Sequence, residues 1–120
     1  MMQPTYREAV EIQRRMRAQV ITHDVIMPSN LEIAIGVDVS CSRNSDIGYA
    51  AAVAWSISER KPVASGAVSG KLTFPYVPGL LSFREVDLII FALERLSEQP
   101  SIGRIQGSEN MVLICDGQGY

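Results

Sequence analysis

Three carboxylates stand where their type and spacing could do chemistry. Asp38 interrupts the alternating run Gly36-Val37-Asp38-Val39-Ser40, and a charge inside a strand costs free energy unless it is paired or coordinates a cation. Asp116 follows directly on the apolar run Met111 to Cys115, at the carboxyl end of a strand, where open α/β sheets place their sites. Glu85 falls in the first turn of a predicted helix, one turn before Ile89, so it borders the stripe that faces the sheet. If that helix returns the last strand parallel to the first, the two aspartates become neighbours and Glu85 joins them. Like charges packed together raise one another's pKa or recruit a metal, and a hard cation such as Mg²⁺ takes oxygen ligands. Each residue also has a plainer reading. Glu85 follows Ser82 at capping-box spacing, and Asp116-Gly117 is an ordinary way to start a turn. Asp38 is the hardest to explain away, because strands disfavour aspartate and Val37 and Val39 fix its register.

Other catalytic chemistries are poorly supplied. The 120 residues contain two cysteines, Cys41 and Cys115, and one histidine, His23. Three soft ligands cannot fill a tetrahedral structural zinc site alone, and no CxxC pair exists. His23 reads as a loop residue and the cysteines as small apolar fillers. What remains is carboxylates, hydroxyls and metal-bound water. The net charge of −2 gives no basic footprint of the kind that dominates nucleic-acid binding, although nine of the 11 basic residues are arginine, which suits fork-shaped phosphate contacts. A composition 47% hydrophobic and 20% charged is that of one globular domain. No apolar run approaches a membrane span, and no signal-peptide stretch opens the chain, so a cytosolic setting is expected.

The segment from Phe74 to Leu81 is the other unusual feature. Pro75 and Pro78 flank Tyr76-Val77 and stiffen the loop around an aromatic ring. Rigid apolar wedges pry open base stacks, but a proline-stiffened turn with Tyr76 in the core is the plainer reading and, on these residues alone, the preferred one.

The elements that must position these groups are readable from periodicity. Thr5 and Glu8 form a capping box ahead of a helical stripe of Ala9, Ile12, Met16 and Val20. Asp24 to Asn30 is a loop. Ile33, Ile35, Val37 and Val39 then share one strand face, and Ala34, Gly36, Asp38 and Ser40 the other. After a polar turn, a second strand sets Ala51, Val53, Trp55 and Ile57 against Ala50, Ala52, Ala54 and Ser56. Pro62 to Leu72 is a glycine-interrupted third strand suited to an edge. Ser82 and Glu85 open a helix with a stripe of Val86, Ile89, Ile90, Leu93 and Leu96. A long polar connection, Gln99 to Asn110, precedes Met111 to Cys115, which reads as a strand buried on both faces. The pattern predicts an α/β layer with a mixed sheet, an antiparallel three-strand meander plus a parallel fourth strand.

Gly36-Val37-Asp38-Val39-Ser40, the block Phe74 to Glu85 (FPYVPGLLSFRE) and Asp116-Gly117-Gln118-Gly119 together resemble the endonuclease V family, repair nucleases directed at deoxyinosine. The motifs occur in family order, and the resemblance runs from about Tyr6 to the end. It implies an RNase H-like fold with the strands ordered third-second-first-fourth. It implies that Asp38, Glu85 and Asp116 bind Mg²⁺, for which Mn²⁺ can substitute. It implies that Pro75, Tyr76, Val77 and Pro78 form a strand-separating wedge, with Gly79 and Leu80 beside the pocket for a flipped base. The implied activity is hydrolysis of the second phosphodiester bond 3′ to a deaminated base, chiefly hypoxanthine, in DNA; some members prefer inosine in RNA. A monomer without membrane association is expected.

The chain departs from the family at Cys41, where an aromatic residue is usual, and in the length of the 99–110 connection. The family also continues past the Asp-Gly-Gln-Gly motif into an Ala-His-Pro-Arg stretch, a lysine and more sheet. Residues 1–120 are therefore expected to form a single, incomplete, C-terminally truncated domain, inactive by itself. The competing reading is a non-catalytic nucleic-acid binding module that retains the wedge. An actin-like ATPase is disfavoured, since Cys41-Ser42-Arg43-Asn44 stands where a phosphate-binding glycine hairpin would follow the first strand.

Overall fold

The computed structural model describes residues 3–42, 44–103 and 110–116. Helix α1, Tyr6–Arg17, begins at the predicted capping box: the Thr5 hydroxyl accepts from the Glu8 N–H at 3.2 Å, and the Glu8 carboxylate accepts from the Thr5 N–H at 2.9 Å. Its apolar stripe is used only at the start. Ala9 is buried and Ile12 half-buried, but Met16 is exposed, and so is Val20, which lies beyond the helix end.

Strands β1 (Ile33–Cys41), β2 (Ile47–Ser56) and β3 (Lys61–Lys71) form the expected antiparallel meander. Helix α2, Leu81–Ser97, and a helical turn at Pro100–Gly103 lead to β4, Met111–Cys115, which pairs in parallel with β1. The strand order is β3-β2-β1-β4, with β3 at an edge as predicted. The predicted connection from Gln99 starts with that helical turn, and its residues 104–109 lie outside the described residues. Among the described residues, no helix is long and apolar enough to cross a membrane.

The core lies between α2 and one face of the sheet, and small residues make it. Ala50, Ala52 and Ala54 of β2 and Ala64 of β3 are buried there with Ile33, Ile35 and Val37 of β1. The opposite face carries the larger Tyr49, Val53 and Trp55, all exposed. Period-two alternation separates two faces without saying which is covered. The alanines face inward because the helix backbone comes very close: a Cβ added at Gly66 would lie 2.7 Å from the Leu96 backbone nitrogen and 3.1 Å from the Ala92 carbonyl oxygen.

That approach also rotates α2 from its predicted face. Leu88, Ala92 and Leu96 are buried, together with Arg84, at a strict four-residue interval. Ile89 and Leu93 are half-buried, while Val86 and Ile90 point outward. The helix is apolar around most of its circumference, so the largest side chains suggest the wrong centre; Ala92 is the residue small enough to meet the sheet.

Strand β4 corrects a further expectation. It is an edge strand, not one buried on both faces, with Leu113 48% and Ile114 57% exposed. Its apolar run marks parallel pairing with β1, but burial also needs neighbours on the other edge and face, and among the described residues β1 is its only sheet partner. Cys115 is exposed on it, whereas Cys41 packs partly against the core, so the apolar-filler reading fits only Cys41.

The tight contact at β3 makes a prediction. Gly66→Ala is expected to destabilise the fold by about 1–3 kcal/mol, the usual cost of overpacking. Gly36→Ala, where an added Cβ meets nothing within 4 Å, should be neutral or mildly stabilising. Urea unfolding of the two variants checks this; equal losses would contradict the packing described.

Candidate active site

The parallel register runs from Ile33↔Met111 to Val37↔Cys115, so Asp38, inside β1, comes level with Asp116, the residue that follows β4. Asp38 is exposed and accepts a hydrogen bond from the Val39 N–H at 2.9 Å. Its cross-strand partner is Ala51, whose own partner on β3 is Ala67, so the surface beside the carboxylate is low. Asp38, Ser40, Tyr49, Ala51, Ala67 and Ser69 line a shallow depression on this open face.

Glu85 is not a cap. The N-cap of α2 is Leu80, no side chain bonds the helix end, and Ser82 lies inside the helix. Packing replaces the cap: Leu80 is buried with Phe74 and Ala9, and its N–H donates to the Val77 carbonyl at 2.9 Å. Gly79 precedes it with φ +87°, a left-handed conformation that favours glycine. Glu85 thus falls in the second turn, half-buried, and free of the role its spacing to Ser82 offered. Its carboxyl is held above the usual carboxylate range, first by burial and then by the charges of Asp38 and Asp116. The three carboxylates, from β1, α2 and the end of β4, are therefore electrostatic neighbours. They do not form a closed coordination sphere: no group of three His, Cys, Asp or Glu side chains among the described residues is arranged to hold a metal ion. The donor set nevertheless fits a hard cation, since every member offers carboxylate oxygen and their repulsion would be relieved by positive charge. His23 lies on an exposed loop, as expected.

The proline-flanked loop is anchored at both ends. Phe74 is buried to 2% exposure with its ring 5.7 Å from that of Phe83, and Leu80 closes the other end. Between them Pro75, Pro78 and Gly79 are exposed, and Tyr76 and Val77 are half-buried. Tyr76 is not a core residue; Phe74 fills that place. Leu80 supports the loop through its buried side chain rather than facing outward. Helix α1 braces the loop, with the Gln13 amide donating to the Gly79 carbonyl at 2.8 Å, and in the segment before the helix the Gln3 amide donates to the Thr73 hydroxyl.

Arg84 is barely signalled by the sequence. It is only 7% exposed, and its guanidinium donates to the Phe74 carbonyl at 2.7 Å, to the Ser45 carbonyl at 2.6 Å and, more weakly, to the Ser42 carbonyl at 3.5 Å. The sole hint in the sequence is its four-residue spacing from Leu88, Ala92 and Leu96.

The raised Glu85 pKa has a consequence for stability. Its folded value lies above the unfolded one, so its favourable contribution is full below the unfolded pKa and is lost as pH rises through the folded pKa. Glu85→Gln should therefore melt higher than the parent near about pH 7 and lose that advantage towards about pH 3, where the carboxyl is protonated in both states. Thermal unfolding across this range checks the sign; an advantage independent of pH would contradict it.

Comparison with known proteins gives these residues their context. The Endonuclease V family profile matches residues 14–120. Endonuclease V of Myxococcus xanthus is 40% identical over 114 residues, covering 93% of this chain and 43% of that protein. The crystal structure of endonuclease V from Streptomyces avermitilis superposes with a TM-score of 0.73 at 34% identity, over 96% of this chain and 46% of that one. Endonuclease V from Ciona intestinalis, in complex with a 24mer DNA containing an inosine followed by a ribo-adenosine, gives a TM-score of 0.76 at 28% identity, over 95% and 46% of the two chains. The chain spans about half the length of the relatives it matches. The mixed sheet with its flanking helices is an RNase H-like fold, and the chain belongs to the endonuclease V family.

Proposed function

We propose that this chain carries the metal-binding carboxylates and the strand-separating loop of an endonuclease that hydrolyses the second phosphodiester bond 3′ to a deaminated base. The preferred substrate is DNA containing deoxyinosine, with inosine-containing RNA as the second backbone to be assayed. The observation that carries the reading is that the β1–β4 register brings Asp38, inside β1, level with Asp116 just past the end of β4, with Glu85 coupled to both. The inosine-containing DNA held by the Ciona relative supports the substrate class.

In this reading Asp38, Glu85 and Asp116 hold Mg²⁺ or Mn²⁺. Such a cation, when bound, lowers the pKa of water and neutralises charge on the scissile phosphate. The protein's own part is orientation. Asp38 is fixed by the β1 ladder and its bond from Val39, and Glu85 by the packing of α2. Pro75 and Pro78 stiffen the loop so that Tyr76 and Val77 can enter a base stack without first losing conformational entropy. Gly79 adds no side chain beside the path of a displaced base. The apolar edge at Leu113 and Ile114 supports the further proposal that the 120 residues alone are marginally stable and inactive.

The decisive assay is Mg²⁺-dependent nicking of an inosine-containing duplex by a polypeptide of the relatives' full length that carries this chain. Asp38→Ala in it should lower nicking by more than about 100-fold, beyond the loss of an outer-shell partner, and leave binding in Ca²⁺ largely intact. Undiminished nicking by the alanine variant would refute the carboxylate assignment. Binding with no metal-dependent cleavage at all would favour the non-catalytic binding module.

A further inference from the structure

We infer that Arg84 is a positioning residue, which ties the wedge loop to the turn leaving β1 and so sets the spacing between Tyr76 and the carboxylates; this deepens the function proposed above and rests on it. Arginine is an expensive choice at this position. It occupies the buried face of α2 one turn before Leu88, where an apolar side chain would continue the pattern. It lies near the helix N-terminus, where the backbone dipole gives a cation no support. Its Nε is buried without a hydrogen-bond partner, and burying an unsatisfied polar atom is itself destabilising.

What the guanidinium provides is a planar fork that reaches two segments at once. One arm bonds the Phe74 carbonyl, two residues before Tyr76. The other bonds Ser45 and, at longer range, Ser42, which is four residues beyond Asp38. Arg84 itself immediately precedes Glu85. A single side chain thus joins the three stretches that carry the wedge and two of the carboxylates. Charge-assisted bonds are roughly twice as strong as neutral ones, and a lysine, with its point charge, cannot span both acceptors in the same way. Small displacements between a binding element and reacting groups are costly, about 100-fold for 1 Å in favourable cases.

The test compares Arg84→Met and Arg84→Lys with the parent, each in a polypeptide of the relatives' full length that carries this chain. Hydrogen–deuterium exchange reads the clamp directly, and binding in Ca²⁺ to an inosine-containing duplex against the unmodified duplex reads its consequence. Arg84→Met should speed exchange in both residues 44–47 and residues 72–80 while the interior of α2 stays protected. Its preference for the inosine duplex should fall by about tenfold, with Arg84→Lys between the two. Faster exchange in one segment only, or throughout α2, would overturn the clamp. Unchanged preference would overturn its positioning role. Should the parent chain itself show no preference, the proposed function fails, and the exchange pattern alone decides whether the clamp stands.

Discussion

The close seating of α2 on the sheet is the contact on which the rest of the structure depends. Gly66 and the alanines of β2 and β3 let the helix backbone almost touch the strands, with Ala92 at the centre. That distance fixes how high the first turns of α2 stand above the end of β1. Glu85 is carried there by the helix, and Asp116 is brought level with Asp38 by the β4 register. A bulkier strand face would lift the helix and separate Glu85 from the aspartates. The small residues that make the core modest are thus the ones that make the site possible.

Around that contact the fold accepts several local costs. An aspartate interrupts a strand, a half-buried glutamate feels the charges of two aspartates, and an arginine is buried with one nitrogen unpartnered. Each violates a rule of local stability, and such violations concentrate where function needs them. The compensation is visible in the neighbouring segments. Phe74 and Leu80 close the ends of the proline-flanked loop, α1 braces it through Gln13, and Arg84 ties it to the β1–β2 turn. The first helix, which reads in the sequence as an ordinary amphipathic element, serves the loop more than the sheet.

Much of this is legible in the sequence. The meander, the parallel fourth strand, the edge position of β3 and the Thr5 cap follow from local pattern, because period, turn composition and capping are short-range properties. The awkwardness of Asp38 is equally local. What the pattern could not convey is which of two alternating faces is covered, since that is decided by the partner. Hence Tyr49 and Trp55 point outward, and the α2 stripe centres on Ala92 rather than on Ile89 and Ile90. The Ser82–Glu85 spacing misled for a related reason: Gly79 and the buried Leu80 start the helix by packing, leaving no need for a hydroxyl cap. Strand β4 is less buried than its apolar run suggests, because such a run reports what a strand tolerates, not what lies beside it. Beyond its four-residue spacing from Leu88, nothing marks Arg84, since its acceptors are backbone carbonyls and any sequence supplies those.

Asp38, Glu85 and Asp116 are proposed to act as one site. Calorimetric titration of Mn²⁺ into the parent chain and into Asp38→Asn, Glu85→Gln and Asp116→Asn tests it most directly, because it needs neither substrate nor turnover. Saturable binding is expected in the parent, lost or sharply weakened in each of the three variants and little changed by Glu59→Gln on the exposed β2–β3 turn. Variants that bind Mn²⁺ like the parent, or a loss confined to one of the three, would contradict it.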